Sequence, residues 1–159
     1  MRELLELIEN NPKYTAAKLA TMLDMDVEKV EEAIKKLEKD RVILSYKTLI
    51  NWDKTDAEKV TAFIELKVRP QFEQGFDAIA EEIYKYEQVK TVWLMSGGFD
   101  LGLIVEGKTM KEVALFVAEK LAPLDTVLST GTHFVLKTYK DCGVIFDKKF
   151  GDERGYVSL

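Results

Sequence analysis

The sequence predicts an α+β protein made of an N-terminal winged helix-turn-helix domain followed by a ferredoxin-like β-α-β-β-α-β domain. Three observations support this fold class. The first fifty residues contain three short helical patterns and then one β-rich run; the later part alternates β-rich runs with two amphipathic helices; and a polar segment without sustained periodicity separates them. We therefore divide the chain into residues 1–50, a linker at 51–59 and a second domain at 60–159.

The composition indicates a cytoplasmic protein with no membrane contact and no cofactor. Of the 159 residues, 47% are hydrophobic, which is enough for real cores. The chain carries 23 basic and 28 acidic residues, so a nucleic-acid contact must come from a local patch. The single cysteine, Cys142, excludes an intramolecular disulfide and a multi-cysteine metal site. No apolar run approaches the roughly 20 residues of a spanning helix, and the amino terminus lacks the features of a signal peptide.

The N-terminal helices are predicted from their caps and their apolar spacing. The first helix ends at Asn10-Asn11-Pro12, and the second begins after Thr15, a good N-cap. Asp26 can cap the third helix. Its predicted inward residues are Val27, Val30, Ile34 and Leu37. The β-rich run from Val42 to Ile50 is predicted to form the wing.

In a winged helix-turn-helix the third helix enters the major groove of DNA. Between Asp26 and Asp40 this helix has six acidic against four basic residues, which opposes contact with phosphates. A three-helix packing module without DNA contact therefore remains an alternative. The candidate phosphate contacts are basic residues on and around the second and third helices: Lys18, Lys29, Lys36, Arg41 and Lys47.

In the second domain the predicted elements follow one another as strand, helix, hairpin, helix and strand. They are Val60–Val68, Phe72–Tyr86, Val89–Ser96 with the strand after Phe99, Thr109–Leu121 and Thr126–Thr138. The predicted inward residues of the two helices are Phe76, Ile79, Ala80 and Ile83, and then Met110, Val113, Ala114, Val117 and Leu121. Thr109 and Glu112 form a capping box. Two β-like runs in the tail, Gly143–Asp147 and Gly155–Leu159, are suited to extend a sheet edge.

The predicted hairpin turns at Gly97-Gly98, because adjacent glycines supply the positive φ angles of a two-residue primed turn. This turn pairs Ser96 with Phe99, Met95 with Asp100, Leu94 with Leu101 and Trp93 with Gly102. One face then carries Val92, Leu94, Phe99, Leu101 and Leu103 and should meet the helices. The other face carries Trp93, Met95, Asp100, Gly102 and Ile104. It is apolar enough to predict sheet-to-sheet pairing with a second copy of the chain.

An effector site is predicted at the hairpin tip. Exposed backbone N–H groups at glycines suit a carboxylate, and an Asp100 carboxylate suits an ammonium, so an amino acid zwitterion fits both. The candidate residues are Ser96, Gly97, Gly98, Phe99, Asp100, Thr130 and Thr132. The alternative is that the glycines only make the turn and Asp100 only forms a structural or intersubunit bond. His133, the only histidine, is either a buried or interface residue or a pH switch.

Taken in order, these motifs resemble the Lrp/AsnC family. In the N-terminal half the matching pieces are Ala17–Ala20, Val30, Ile34, Leu37-Glu38, and Val42-Ile43 through Tyr46 to Leu49–Asn51. In the second half they are Gly98–Asp100, Val127–Thr130 and Val135–Lys137. The resemblance implies a transcription regulator whose C-terminal domain dimerises, assembles further and binds amino acids or related metabolites between dimers.

The sequence departs from the family pattern at Ala33, where such regulators often have arginine, and at Asp24, where the turn usually has glycine. Together with the acidic third helix, these departures leave open a metabolite-sensing oligomer that no longer binds specific DNA. A second alternative is an enzyme, because some similar chains resemble sirohaem decarboxylases. Its anionic substrate would need basic residues, of which the domain offers Lys67, Arg69, Lys90 and Lys137. No catalytic motif supports an enzyme.

Overall fold

A computed structural model describes residues 1–70 and 75–146. The chain divides into two compact units, Met1–Ile50 and Asn51–Leu159, which places the predicted linker in the second unit. The helices and strands, in chain order, are α1 Arg2–Asn10, α2 Ala16–Leu23, α3 Val27–Lys39, β1 Val60–Val68, α4 Asp77–Ile83, β2 Val89–Leu94, β3 Leu101–Gly107, α5 Met110–Phe116, β4 Val127–Phe134, β5 Lys140–Asp141 and β6 Val144–Ile145.

The first unit is a three-helix packing around one small core. Its buried residues are Leu4, Ile8, Leu19, Ala20, Val30 and Leu37. Ile34 packs against this core at its edge, whereas the prediction that Val27 points inward was wrong, because 41% of its surface is exposed. Val27 is the first residue of α3, where no preceding turn holds it against the core. Burial of each large apolar side chain contributes about 1.5–3 kcal/mol.

The caps of α2 and α3 differ in how they satisfy the first free N–H groups. Thr15 accepts a hydrogen bond from the backbone N–H of Lys18, as a threonine N-cap should. Asp26 occupies the N-cap position of α3, but its side chain makes no capping hydrogen bond. Instead its carboxylate lies 2.6 Å from the ammonium of Lys29.

The segment Val42–Ile50 is not a strand, so the predicted wing hairpin is absent from the described first unit. The composition of this segment is β-rich, but a β-strand needs a partner for its backbone groups. No second β-rich run lies within residues 1–50 to supply one.

The second unit is a four-stranded antiparallel sheet in the order β2-β3-β1-β4. Both helices pack on one face, over the inward residues of β1 and β3. This core contains Ala62, Ile64, Leu66, Val68, Ile79, Ile83, Val89, Leu101, Leu103, Val105, Val113, Phe116, Val117 and Leu121. Among the described residues, no helix lies over the opposite sheet face, which carries Phe63, Glu65, Trp93, Gly102 and His133, and we call it the open face.

The boundaries of several elements differ from the predictions. β1 has the predicted bounds, whereas β2 ends at Leu94 and β4 ends at Phe134. The predicted start of the first helix at Phe72 lies outside the described residues, and α4 ends at Ile83 instead of Tyr86. Tyr86 donates its N–H to the carbonyl of Ile83 in the turn that leads to β2.

The helix that starts at Met110 changes its winding after Phe116, where Val117–Leu121 continues as a π-helical turn. Thr109 caps it by accepting from the N–H of Glu112, and the Glu112 carboxylate reaches back to the N–H of Lys108 instead of Thr109. The predicted inward positions of Met110 and Ala114 were wrong. Both are exposed, and Phe116 is buried in their place.

The β-rich run after residue 143 forms its own small hairpin instead of joining the main sheet, with Val144 paired to Asp141 and Ile145 to Lys140. Its turn is Cys142-Gly143, at φ 44° and 80°. Positive φ at both turn residues is the requirement of a primed turn. The second predicted run, Gly155–Leu159, lies outside the described residues.

Candidate functional site

The register of the β2–β3 hairpin is the predicted one, with Trp93 opposite Gly102 and Leu94 opposite Leu101. Its connection, however, is not a two-residue primed turn. Neither Gly97 nor Gly98 has a left-handed φ, and the ladder does not include Ser96 and Phe99. The last bond of the hairpin runs from the N–H of Met95 to the carbonyl of Asp100, at 2.8 Å. Residues 96–99 therefore form a wider loop, which we call the glycine loop.

The glycine loop is attached to β1 by Asp100. The N–H of Asp100 donates to the carbonyl of Leu66 at 2.9 Å, and its carboxylate Oδ2 accepts from the N–H of Val68 at 2.8 Å. Asp100 is partly buried. One carboxylate oxygen of Asp100 therefore has a structural role.

The backbone of the glycine loop offers donors for a ligand. Among the described residues, 1–70 and 75–146, no acceptor forms a hydrogen bond with the N–H groups of residues 96–99. Ser96, Gly97 and Gly98 are exposed. Successive free N–H groups of this kind favour an anionic group such as a carboxylate.

Phe99 lies on the open face, not on the helix side as predicted. Its ring meets the edge of Phe63 at a centroid distance of 5.8 Å, and Phe63 is also 6.2 Å from the ring of His133. The width of the loop explains why Phe99 lies on the unexpected face. Beyond Met95 the chain has left the strand ladder, so its side chains no longer alternate between the two faces of the sheet. Leu94, predicted to face the helices, is 62% exposed and does not belong to the core of the second unit.

The two predicted threonines lie at different distances from the glycine loop. Thr130 pairs with Leu66, the residue whose carbonyl accepts from Asp100. Thr132 pairs with Ile64, two residues or about 7 Å farther along the sheet. The structure therefore brings Thr130 close to the end of β1 that holds the loop, and Thr132 farther from it.

The open face carries the predicted side chains of Trp93 and Met95, which are 47% and 39% exposed. Ile104, also predicted there, is half-buried. The sequence reasoning missed two neighbours on β1, Phe63 and Glu65, although the period-two pattern of β1 contained the signal. His133 on β4, predicted to be either a buried or interface residue or a pH switch, lies beside them. Its side chain is 58% exposed, and its Nε2 atom is 3.3 Å from Oε1 of Glu65.

The helix-turn-helix of the first unit turns at Asp24, which has a left-handed φ of 52°. The N–H groups of Asp24 and Met25 both donate to the carbonyl of Ala20, which closes the end of α2. Ala20 is buried in the core of the first unit. Aspartate tolerates this backbone conformation better than most residues other than glycine, so the turn forms without the usual glycine.

The five candidate phosphate contacts are all exposed, but they are not equally free. Lys29 is paired with Asp26 at 2.6 Å. Lys36 lies seven residues, or two turns, beyond Lys29 on the same side of α3. Lys18 lies on α2, in its first turn. The basic charge that remains available is therefore concentrated at Lys18, Lys36 and the segment after α3.

That segment begins with Arg41, whose φ of 56° closes α3. The N–H of Val42 donates to the carbonyl of Leu37 at 2.9 Å, the pattern of a Schellman cap. Farther on, the Tyr46 hydroxyl donates to Glu38 at 2.9 Å. Partial burial, together with this bond and the nearby negative charge, raises the pKa of Tyr46 above its usual value. The segment that carries Lys47 is therefore held against α3.

Two concave surfaces were not predicted. A groove of about 450 Å³ in the first unit lies between α1 and the segment after α3. A cleft of about 440 Å³ in the second unit adjoins Trp52. There the Lys59 ammonium sits 5.1 Å from the centre of the Trp52 ring and 2.9 Å from Glu106.

Among the residues that the structure describes, no group of three His, Cys, Asp or Glu side chains could hold a metal ion. In the same part of the chain no helix combines the length and apolar character needed to cross a membrane.

Comparison with known proteins identifies both units. A family model described as the Lrp/AsnC ligand binding domain matches residues 61–145, and one described as a winged helix-turn-helix DNA-binding domain matches residues 1–43. The uncharacterised HTH-type transcriptional regulator YugG of Bacillus subtilis is 44% identical over 157 residues, which cover 98% of this chain and 95% of that protein.

Solved structures share the fold. The transcriptional regulator NMB0573 of Neisseria meningitidis, in complex with L-Met, superposes with a TM-score of 0.70 at 21% identity and covers 87% of this chain and 88% of its own. The leucine response regulatory protein LrpA of Mycobacterium tuberculosis gives a TM-score of 0.72 at 20% identity, over 87% and 92% of the two chains.

Proposed function

This chain belongs to the Lrp/AsnC family of transcription regulators, and we propose that it binds double-stranded DNA in response to an amino acid or a related small metabolite. The observation that carries the proposal is the combination of a helix-turn-helix unit with a sheet domain whose glycine loop presents free N–H groups beside a carboxylate. The helix-turn-helix unit supplies the DNA-binding element, and the glycine loop supplies a binding site for a zwitterion.

For DNA binding, α3 enters the major groove while basic residues around it contact phosphates. Lys18, Lys36, Arg41 and Lys47 carry most of this role. Lys29 contributes less, because an ammonium that already pairs with Asp26 must give up that contact to bind a phosphate. The acidic residues of α3 limit affinity, so binding should depend strongly on salt.

For effector binding, the N–H groups of the glycine loop donate hydrogen bonds to the α-carboxylate, and the second oxygen of Asp100 meets the α-ammonium. Thr130 lies close to the same end of β1. The relative from Neisseria meningitidis is described as a complex with L-Met, which favours an α-amino acid as the class of ligand.

For assembly, two copies pair through their open faces. Trp93 and Met95 expose apolar surface there that a helix would cover in other sheets. Burial contributes roughly 25 cal/mol per Å² of apolar surface, and a two-fold axis gives each copy the same contact.

Selection of genomic DNA fragments on the purified protein, at low and at moderate salt, tests the DNA proposal. We expect a small set of fragments to be enriched at both salt concentrations. The Lys36→Ala variant should lose affinity for them, and the matched variant Lys85→Ala, a lysine of the second unit, should not. If binding ignores sequence in the wild-type protein, the regulator proposal fails.

Thermal unfolding in the presence of each of the twenty amino acids tests the effector proposal. A ligand at one hundred times its Kd should stabilise the second unit by about 2.7 kcal/mol. Thr130→Val should reduce the shift, whereas Thr132→Val should leave it unchanged because Thr132 lies farther from the loop. A melting temperature that no amino acid alters would exclude a free amino acid as effector.

The six acidic residues in and around α3 favour one second candidate, a metabolite-sensing oligomer that acts without specific DNA binding. This candidate predicts a thermal shift with an amino acid and no enriched DNA fragment. The two experiments together therefore separate the candidates.

A further inference from the structure

The open face carries one histidine–carboxylate pair within its apolar surface. Glu65 lies on β1, a central strand of the sheet, and His133 lies on β4 beside it. Their side chains are 38% and 58% exposed, and Nε2 of His133 is 3.3 Å from Oε1 of Glu65. The Phe63 ring adjoins the pair, with its centroid 6.2 Å from that of the imidazole. Both partners carry charge only when the histidine is protonated.

Two glycines flank Glu65 in the strand ladder. Glu65 is opposite Gly102 on β3 and opposite Gly131 on β4. A Cβ at Gly131 would lie 3.4 Å from Oε2 of Glu65 and 3.7 Å from Nε2 of His133, so the pair occupies the space above this glycine. The residues directly opposite Glu65 therefore have no side chains that shield its carboxylate. Any surface that covers the open face must remove this pair from water.

The other charged residues of the open face and its edges do not replace His133 as the partner of Glu65. They are Lys67, Lys90, Asp100, Glu106 and, beyond the end of β4, Lys137. Lys67 is two residues, or about 7 Å, farther along β1. Asp100 is bonded to the N–H of Val68, and Glu106 is paired with Lys59. Lys90 donates to a backbone carbonyl at 2.6 Å, and the Lys137 ammonium is 5.1 Å from the centre of the Tyr139 ring.

We propose that the pairing of two copies through their open faces is linked to the uptake of a proton by each His133–Glu65 pair. The proposal rests on the open-face pairing of the proposed function. In a free copy, water solvates the Glu65 carboxylate whether or not His133 is protonated, and an exposed ion pair contributes little. Between two sheets water is excluded, and a carboxylate without a counter-charge is costly to bury. A protonated His133 supplies that counter-charge, and the low dielectric strengthens the attraction.

The sign of the pH dependence follows from proton binding. The paired state holds more protons than two free copies, so the affinity between copies rises as the pH falls. The gain is complete where the free copies already hold the proton, and it is lost as the pH rises above the range in which the paired state keeps it. Histidine changes charge between about pH 5 and pH 8, and carboxylates stay ionised in the upper part of this range. His133 is the only histidine of the chain, so substitutions at one position test the linkage.

Fluorescence energy transfer between copies of the full-length protein measures the pairing. The only cysteine, Cys142, is exposed and can carry a donor in one sample and an acceptor in another. Dilution of the mixed samples gives the Kd, and displacement by unlabelled protein gives the dissociation rate where the Kd is too low to measure. Each dimer contains two pairs, so the Kd or the dissociation rate of the wild type should fall at least about tenfold from about pH 8 to about pH 6.

Two substitutions separate the partners of the pair. Glu65→Gln removes the buried charge, so its Kd should be nearly independent of pH and, at about pH 8, at least about tenfold below that of wild type. His133→Gln removes the group that takes up the proton, so its Kd should stay at or above the wild-type value for about pH 8 throughout. Glu82→Gln, at an exposed glutamate of α4, is the matched control and should keep the wild-type pH dependence.

Circular dichroism checks that each variant is folded. A wild-type Kd and dissociation rate that do not change with pH would overturn the proton linkage, as would a pH dependence that persists in His133→Gln. Weaker pairing of Glu65→Gln than of wild type at the higher pH would also overturn it. In these cases the open-face pairing still stands. Energy transfer that is absent at every pH would instead overturn the open-face pairing, so the two failures are distinguishable.

Discussion

The carboxylate of Asp100 accepts a hydrogen bond from the backbone N–H of Val68 at 2.8 Å, and this contact fixes the glycine loop to the end of β1. Asp100→Ala leaves that partly buried N–H without an acceptor, which should lower the free energy of unfolding by about 1–3 kcal/mol. Asp100→Asn keeps an acceptor oxygen and should cost less than about 1 kcal/mol.

Urea unfolding of the two variants measures this difference. The asparagine variant also separates structure from binding, because it retains the bond to Val68 but loses the negative charge offered to an ammonium. We expect it to fold normally and to bind an amino acid effector more weakly. Equal affinity in Asp100→Asn and wild type would assign Asp100 a structural role alone.

The hairpin illustrates what the sequence predicts well and what it does not. The register was predicted from a turn centred on Gly97-Gly98, and it is correct because the wider loop has the same centre, with Trp93 opposite Gly102 and Leu94 opposite Leu101. The loop conformation could not be predicted, because glycine is compatible with several backbone conformations. The bond from Asp100 to Val68 joins residues 32 positions apart, so no local pattern indicates it.

Two glycines of the same hairpin should respond differently to alanine. A Cβ on Gly102 would lie 3.1 Å from ring atoms of Phe63 and 3.4 Å from Met95, whereas a Cβ on Gly97 meets nothing within 4 Å. Gly102→Ala must displace the Phe63 ring and should cost about 1–3 kcal/mol of stability. Gly97→Ala should lie within about 1 kcal/mol of wild type.

Thermal unfolding measures the two glycine variants, and sedimentation adds a second readout. Phe63 lies on the open face, so displacement of its ring should also weaken pairing of two copies in Gly102→Ala. Gly97→Ala serves as the control for both measurements. A Gly102→Ala protein with wild-type stability would show that the ring moves aside without cost.

The two N-caps of the helix-turn-helix provide another matched pair. Thr15 accepts from the N–H of Lys18, so Thr15→Ala should destabilise the first unit by about 1 kcal/mol. Asp26 makes no capping bond, and its exposed pair with Lys29 contributes little. Asp26→Ala should therefore cost less than about 0.5 kcal/mol, as measured by urea unfolding. A larger loss in Asp26→Ala than in Thr15→Ala contradicts the assignment of the caps.

In the first unit, helical periodicity and capping residues predicted the three helices, because both signals are local. The pattern of Val42–Ile50 did not predict its structure correctly. A run rich in β-branched and other apolar residues favours an extended chain, but whether that chain becomes a strand depends on a partner elsewhere. The spacing of Asp26 and Lys29, three residues apart at the start of a helix, is a local signal for their ion pair that the prediction of phosphate contacts did not use.

Arg41 combines a strained backbone with a candidate phosphate contact. Its φ of 56° lies in the left-handed region, which costs a residue other than glycine roughly 1–2 kcal/mol. Glycine removes this cost, but it also raises the conformational entropy of the unfolded chain, which opposes folding. The net effect of Arg41→Gly should be a gain of about 0.5–1 kcal/mol in the stability of the first unit. Arg41→Ala keeps the strained backbone and should bring no such gain. Both variants lose the charge.

If Arg41 contacts a phosphate, both variants should bind DNA more weakly and reduce the slope of log affinity against log salt by about one. Arg41→Gly would then be more stable than wild type but would bind DNA more weakly. This result would explain why arginine occupies a position whose backbone suits glycine, because the phosphate contact compensates for the backbone strain. Fluorescence anisotropy with a selected fragment, at several salt concentrations, measures the slope. An unchanged slope in both variants removes Arg41 from the DNA-binding surface and leaves Lys18, Lys36 and Lys47 to supply the phosphate contacts.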